Sequence, residues 1–134
     1  MAPVHSPLRW YAAALLLGNA LVHVPLIPEH LEEARYVGLL FIALSVVATV
    51  LALMLVVADS VWAWGATAAV SVLSVAAFLV SRTVGLPQLQ DDIGNWSEPL
   101  GFPALLVETV AALVAGAVLL HRSSPHQLLR KDHR

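Results

Sequence analysis

The stretch "HVPLIPEHLEE" (residues 23–33) sets two histidines seven apart among three glutamates and two prolines. Imidazole nitrogen together with carboxylate oxygen is a donor set for zinc, copper or iron. His23, Glu29 and His30 are therefore candidate ligands of a divalent metal. The spacing is not that of an H-E-x-x-H helix. Pro25 and Pro28 are expected to interrupt the helix that would bring both rings to one face. On this reading the two histidines do not make a site alone, and other elements must complete it.

A second group of polar residues lies within apolar sequence. Glu108 stands among Leu105, Leu106, Val107 and Val110, and a carboxylate at such depth in a bilayer costs about 3 kcal/mol unless paired, hydrated or protonated. It could serve as a proton, cation or ligand group. It could equally form a structural pair with Arg82, which closes an earlier apolar run. Asn19 and His23, four residues apart, share one helical face. Outside the apolar runs, Glu29, Glu32, Glu33, Asp91, Asp92 and Glu98 make up six of the nine acids. A solvated acidic face accounts for them, and a surface for cations or a cationic partner is the sharper alternative.

The elements that must position these groups follow from composition. The 134-residue chain is 59% hydrophobic and only 12% charged, about half the charge of an ordinary soluble domain. Four stretches reach or approach the roughly 20 apolar residues that cross a bilayer: about 8–24, 36–58, 61–83 and 103–120. The predicted fold is all-α, a four-helix transmembrane bundle of up-down topology built from two helical hairpins, occupying residues 1–121. Residues 58–60 force a tight turn between the middle spans, and Asp59 or Ser60 is a natural cap for the third. Residues 122–134 form a basic extension suited to anionic lipid.

Five of the seven lysines and arginines fall on the side shared by both termini. This predicts a plasma-membrane protein with both termini cytoplasmic and the 25–35 and 84–102 connections outside. Trp10, Tyr11, Trp62 and Trp64 would mark the inner interface, Tyr36 and Trp96 the outer. Arg9, the apolar run after it and the small residues around Ala20 also fit a cleavable signal peptide, although Asn19 and the early prolines favour an uncleaved span. "NWS" at 95–97 matches the glycosylation pattern.

Small and weakly polar residues at helical spacing should form the interfaces between spans, since lipid is already as apolar as leucine. They are Ser45, Ala48, Thr49 and Ala52 in the second span, and Thr67, Ser71, Ser74 and Ser81 in the third. The fourth carries Ala104, Glu108, Ala111, Ala112 and Ala115, so Glu108 should face other helices.

Several classes drop out. With no cysteine there is no thiol catalysis, iron–sulfur cluster or cysteine-type zinc site. The net charge of −2 and the absence of a basic stripe argue against nucleic acid. A haem held by two histidines needs them facing at matched depth, and only His23 lies inside a span. No G-x-S-x-G, P-loop or G-x-G-x-x-G motif is present.

"EHLEEARYVGLLF" (29–41), "SRTVGLP" (81–87) and "EPLG" (98–101), followed by Glu108, resemble a group of small four-span membrane proteins common in actinobacteria. The resemblance covers most of the chain from the first span onward. It implies the fold and no activity, and it groups Glu29, His30, Arg82, Glu98 and Glu108 as parts of one pattern. Three functions stay open. The first is a binding or transport-type bundle, with His23, Glu29 and His30 as ligands and Glu108 as a buried carboxylate oriented by Arg82. The second is an accessory subunit that self-associates or joins a membrane complex. The third, a membrane enzyme acting on a lipid or quinone, has no motif behind it.

Overall fold

The computed structural model describes residues 6–123. Five α-helices follow one another: α1 (Leu8–His23), α2 (Ile27–Glu33), α3 (Arg35–Val57), α4 (Val61–Thr83) and α5 (Gly101–Arg122). No strand occurs among the described residues, and the protein is an all-α bundle. The region 8–33, α3, α4 and α5 are each long and apolar enough to cross a membrane. Their outward faces carry large exposed side chains such as Leu53, Leu73, Leu106 and Leu113, as lipid-facing surfaces do. Residues 124–134 of the basic extension lie outside the described residues.

The first span does not stop where its prolines suggest. Val24–Leu26 form a 3-10 turn with Pro25 inside it, and Pro28 occupies the first turn of α2. Proline is tolerated there, because the first turn's amides have no intrahelical acceptor. Val24 and Ile27 keep right-handed helical angles despite the prolines that follow them. Helical geometry thus continues to Glu33, where the non-helical Ala34 turns the chain into α3. The last span is longer than its apolar core for a related reason, since Pro103 sits within the first turn of α5.

Gly38 fixes how α2 returns onto α3. A Cβ there would stand 2.7 Å from the Leu31 backbone nitrogen and 2.6 Å from Leu31 Cδ2. Only a residue without a side chain permits this approach.

α1 packs along α3 on one side and α5 on the other, while α4 packs along α5. α3 and α4, although joined by three residues, touch little along their length. The order around the bundle is therefore α3, α1, α5, α4, with the circuit left incompletely closed between α3 and α4. The small residues mediate the packing much as their spacing predicts: Ala48, Ala52, Thr67, Ser71, Ala104, Ala111 and Ala115 are buried. Thr49 is exposed and bonds the Ser45 carbonyl of its own helix.

At one end of the bundle the start of α1, the α3–α4 turn and the close of α5 meet on a single carboxylate. Asp59 accepts hydrogen bonds from the Ser6 amide (2.5 Å), Trp64 Nε1 (2.5 Å) and Arg122 Nη2 (2.8 Å). Arg122 Nη1 also donates to the Asp59 carbonyl at 3.0 Å. Burial opposes ionisation of Asp59 and is the largest single influence. The donors from Trp64, Ser6 and Arg122, with the Arg122 charge, together outweigh it and hold its pKa below the ordinary value. Ser60 caps α4 by accepting from the Ala63 amide at 3.1 Å. Trp64 is completely buried inside the bundle, whereas Trp62 is 86% exposed. Around Trp64 lies the apolar core, with Leu16, Leu51, Leu55 and Val118. This is the terminal end; the opposite, distal end is polar inside.

Candidate functional site

The distal end holds a cavity of about 350 Å³. α3 contributes Leu40, Leu44 and Val47 to its wall, and α4 contributes Leu73, Ser74 and Ala77. Leu40, Val47 and Leu73 are among the exposed large hydrophobic residues, so the cavity opens sideways through the gap between α3 and α4. Its far wall is Ala104 and Glu108 of α5 together with His23 of α1.

The connection 84–100 roofs this space. Leu89 is buried with Ala34 and Val37 of the α2–α3 corner, and Leu86 packs against them. Tyr36 donates its hydroxyl to the Pro87 carbonyl at 2.7 Å. Gly85 and Gly94 take left-handed backbone angles on either side of the short 3-10 turn Gln90–Asp92. That path returns Asp92 and Glu98 to the end of α4. There the Arg82 guanidinium donates to Glu98 through Nη2 and to Ser81 Oγ through Nη1 at 3.2 Å, and Nη1 forms an ion pair with Asp92 at 3.1 Å. Arg82 Cζ also lies 4.8 Å from the Phe78 ring centre. Its Nε is buried with no partner.

Glu108 lies seven residues into α5, roughly 10 Å along its axis, and is 3% exposed. Arg82 is not its partner: the ion pairs of Arg82 go to the two loop carboxylates. Glu108 faces His23 instead, with Oε1 at 3.6 Å from Nε2. His23 Nδ1 is 2.9 Å from the Asn19 carbonyl, one turn back along α1. A carbonyl can only accept, so Nδ1 carries a hydrogen. This leaves Nε2 as the ring nitrogen that faces the Glu108 carboxyl.

His30 repeats the arrangement. Its Nδ1 lies 2.8 Å from the Leu26 carbonyl, which frees Nε2. Both imidazoles contact Phe41, with ring centres 4.9 Å away for His23 and 4.8 Å for His30. The α-helix is interrupted at the prolines, as expected from sequence, but the 3-10 turn carries the path on so that both histidines still reach the wall of one cavity. Phe41 itself gave no signal, as one more apolar residue in an apolar span.

The predicted site residues thus divide. His23, His30, Arg82, Asp92, Glu98 and Glu108 all line the cavity. Asn19 is buried beside it, with Oδ1 unpartnered. Glu29, Glu32, Glu33 and Asp91 are exposed. The trio His23, Glu29 and His30 is not gathered as one ligand set. Among the described residues no three His, Cys, Asp or Glu side chains are grouped so that they could hold a metal ion. The physical reason is α2 itself: as a helix, it turns His30 inward and Glu29 outward.

What fold and site define is a four-span bundle with a closed apolar core at one end and a laterally open, polar-tipped cavity at the other. Comparisons with protein-family models, curated proteins and solved structures give no match.

Proposed function

We propose that the protein is a small-molecule binding bundle of the membrane, and that the distal cavity is its binding site. The observation that carries this reading is the meeting of three spans' polar groups at one cavity. His23 comes from the first span, Arg82 from the third and Glu108 from the fourth, and all line it. Buried polar groups in a membrane helix are expensive and mark functional interiors, while a cavity of this size falls within the range of ligand sites, about 300–1,000 Å³. The basic residues gathered near the termini favour placing the cavity on the extracytoplasmic side. Exposed Glu29, Glu32, Glu33 and Asp91 would then form an acidic outer rim.

The test is to fill the cavity. Ser74→Phe adds a ring to its α4 wall with no change of charge. Protein purified in detergent is extracted with organic solvent, and the extract is compared by mass spectrometry. Wild type should release an apolar small molecule in stoichiometric amount, and Ser74→Phe should release at least tenfold less. Identical extracts from two equally folded proteins would overturn the reading. Site-specific labelling of introduced cysteines near Glu32 and Ser123 in intact cells checks the orientation.

A further inference from the structure

The polar groups and the opening together restrict what this cavity can take, if the binding reading above holds. The opening lies between two apolar helix faces, so the occupant must present an apolar portion to the gap. At the inner end the charges do not favour an anion. One guanidinium is met by Asp92 and Glu98, with Glu108 as a third carboxylate on the same wall. A phosphate headgroup would meet more negative than positive charge. Nor is a permanent cation well served, because two of the three carboxylates are already engaged by Arg82.

The polar groups that remain open are one donor on Arg82 and the facing His23 and Glu108 side chains. Arg82, 5% exposed and on the cavity wall, has an Nε–H without a partner. His23 Nε2 and Glu108 Oε1 face each other 3.6 Å apart on the same wall. A buried donor without an acceptor is costly, so the matching head is neutral, accepts a hydrogen bond from Arg82 and can share one with the His23–Glu108 pair. Two aromatic rings line the same space: Phe41 from α3, in contact with both histidines, and Phe78 from α4. Flat apolar faces of this kind select a planar ring.

We infer that the cavity binds a quinone-class molecule: a planar, neutral ring whose carbonyl oxygens accept from Arg82 and from the His23–Glu108 pair, with its apolar tail leaving between α3 and α4. Binding alone is inferred, with no electron transfer.

Decylubiquinone is the probe, titrated into the detergent-solubilised full-length protein after its co-purified molecule has been washed out by detergent exchange, and followed by equilibrium dialysis. Wild type should bind it saturably near one per chain. Ser74→Phe, which blocks the space, and Glu108→Leu, which removes the carboxyl facing His23, should each weaken binding at least tenfold. Should either variant fail to fold, competition on wild type decides: unlabelled menaquinone should displace the probe, whereas phosphatidylglycerol and cetyltrimethylammonium should not. No saturable binding to wild type, or displacement by either charged amphiphile, overturns the quinone assignment. If the Ser74-dependent extract persists in that case, the binding function stands and only the ligand class falls. If the extract is also indifferent to Ser74→Phe, both fall.

Discussion

The two ends of this bundle each bury an acid, and they treat it oppositely. At the terminal end Asp59 is surrounded by donors from three parts of the chain, and the helices close around Trp64. At the distal end Glu108 has one neighbour at 3.6 Å and a cavity beside it. A fully satisfied buried carboxylate locks structure; a partly satisfied one leaves hydrogen-bonding capacity open. In a membrane the contrast is sharpened, because helix association gains little from apolar burial and depends on packing and polar contacts.

The most direct way to break the comparison is to remove the lock. Asp59→Ala leaves the Trp64, Ser6 and Arg122 donors without their acceptor and should cost about 3–5 kcal/mol, read as a large fall in thermal midpoint in detergent. Asp59→Asn keeps the shape and tolerates the left-handed backbone at φ 42°, so it should lose less. The same group sets an acid limit. Its folded pKa is depressed, so its contribution is fully present above the ordinary value of 3.8 and disappears as pH falls below that through the lower folded value. Thermal midpoints measured from pH 5 down to pH 2 should show the wild type losing stability in that window and Asp59→Asn staying flat.

Smaller effects sharpen the contrast. Trp64→Phe removes one donor to Asp59 while keeping most of the buried ring, and should cost about 1–3 kcal/mol in the same melt. Gly38→Ala forces α2 off Leu31, an overpacking worth about 1–3 kcal/mol, and should raise hydrogen exchange in α2 and the start of α3 while leaving α4 unchanged. The smallest effect on stability belongs to the residue most buried in the site. Glu108→Gln should move the melt by less than about 1 kcal/mol, since exchanging a loosely partnered buried acid for a neutral isostere is close to neutral. A fall comparable to that of Asp59→Ala would mean that both ends are locks.

The helices were legible because hydropathy and length decide them; α4 begins and ends where its apolar run does. So was the convergence of His23, Arg82 and Glu108, which follows from placing each at the same end of its span. The misreadings have identifiable causes. Pro25 and Pro28 read as breaks, since sequence does not say whether a proline falls in the first turn of a new helix, where it is harmless. That Trp64 is wholly enclosed is not legible, because only the fold brings Asp59 to accept from its indole. Asp59 reads as a cap because nothing local announces that residues 6 and 122 reach it. Arg82 was expected to meet Glu108, yet its partners lie on a connection whose path depends on left-handed glycines and a short 3-10 turn.

The three-residue turn between α3 and α4 has a mechanical meaning. Each of these helices has 23 residues, a rigid arm of roughly 34 Å, and the two arms share a fulcrum at Asp59. A relative tilt of only about 5° at that fulcrum shifts their far ends by about 3 Å, close to the thickness of a flat ring. At their distal ends the two arms are tied through the 84–100 connection, where Tyr36 bonds the Pro87 carbonyl and Leu89 packs on Ala34 and Val37, so the gap between them is held from both ends.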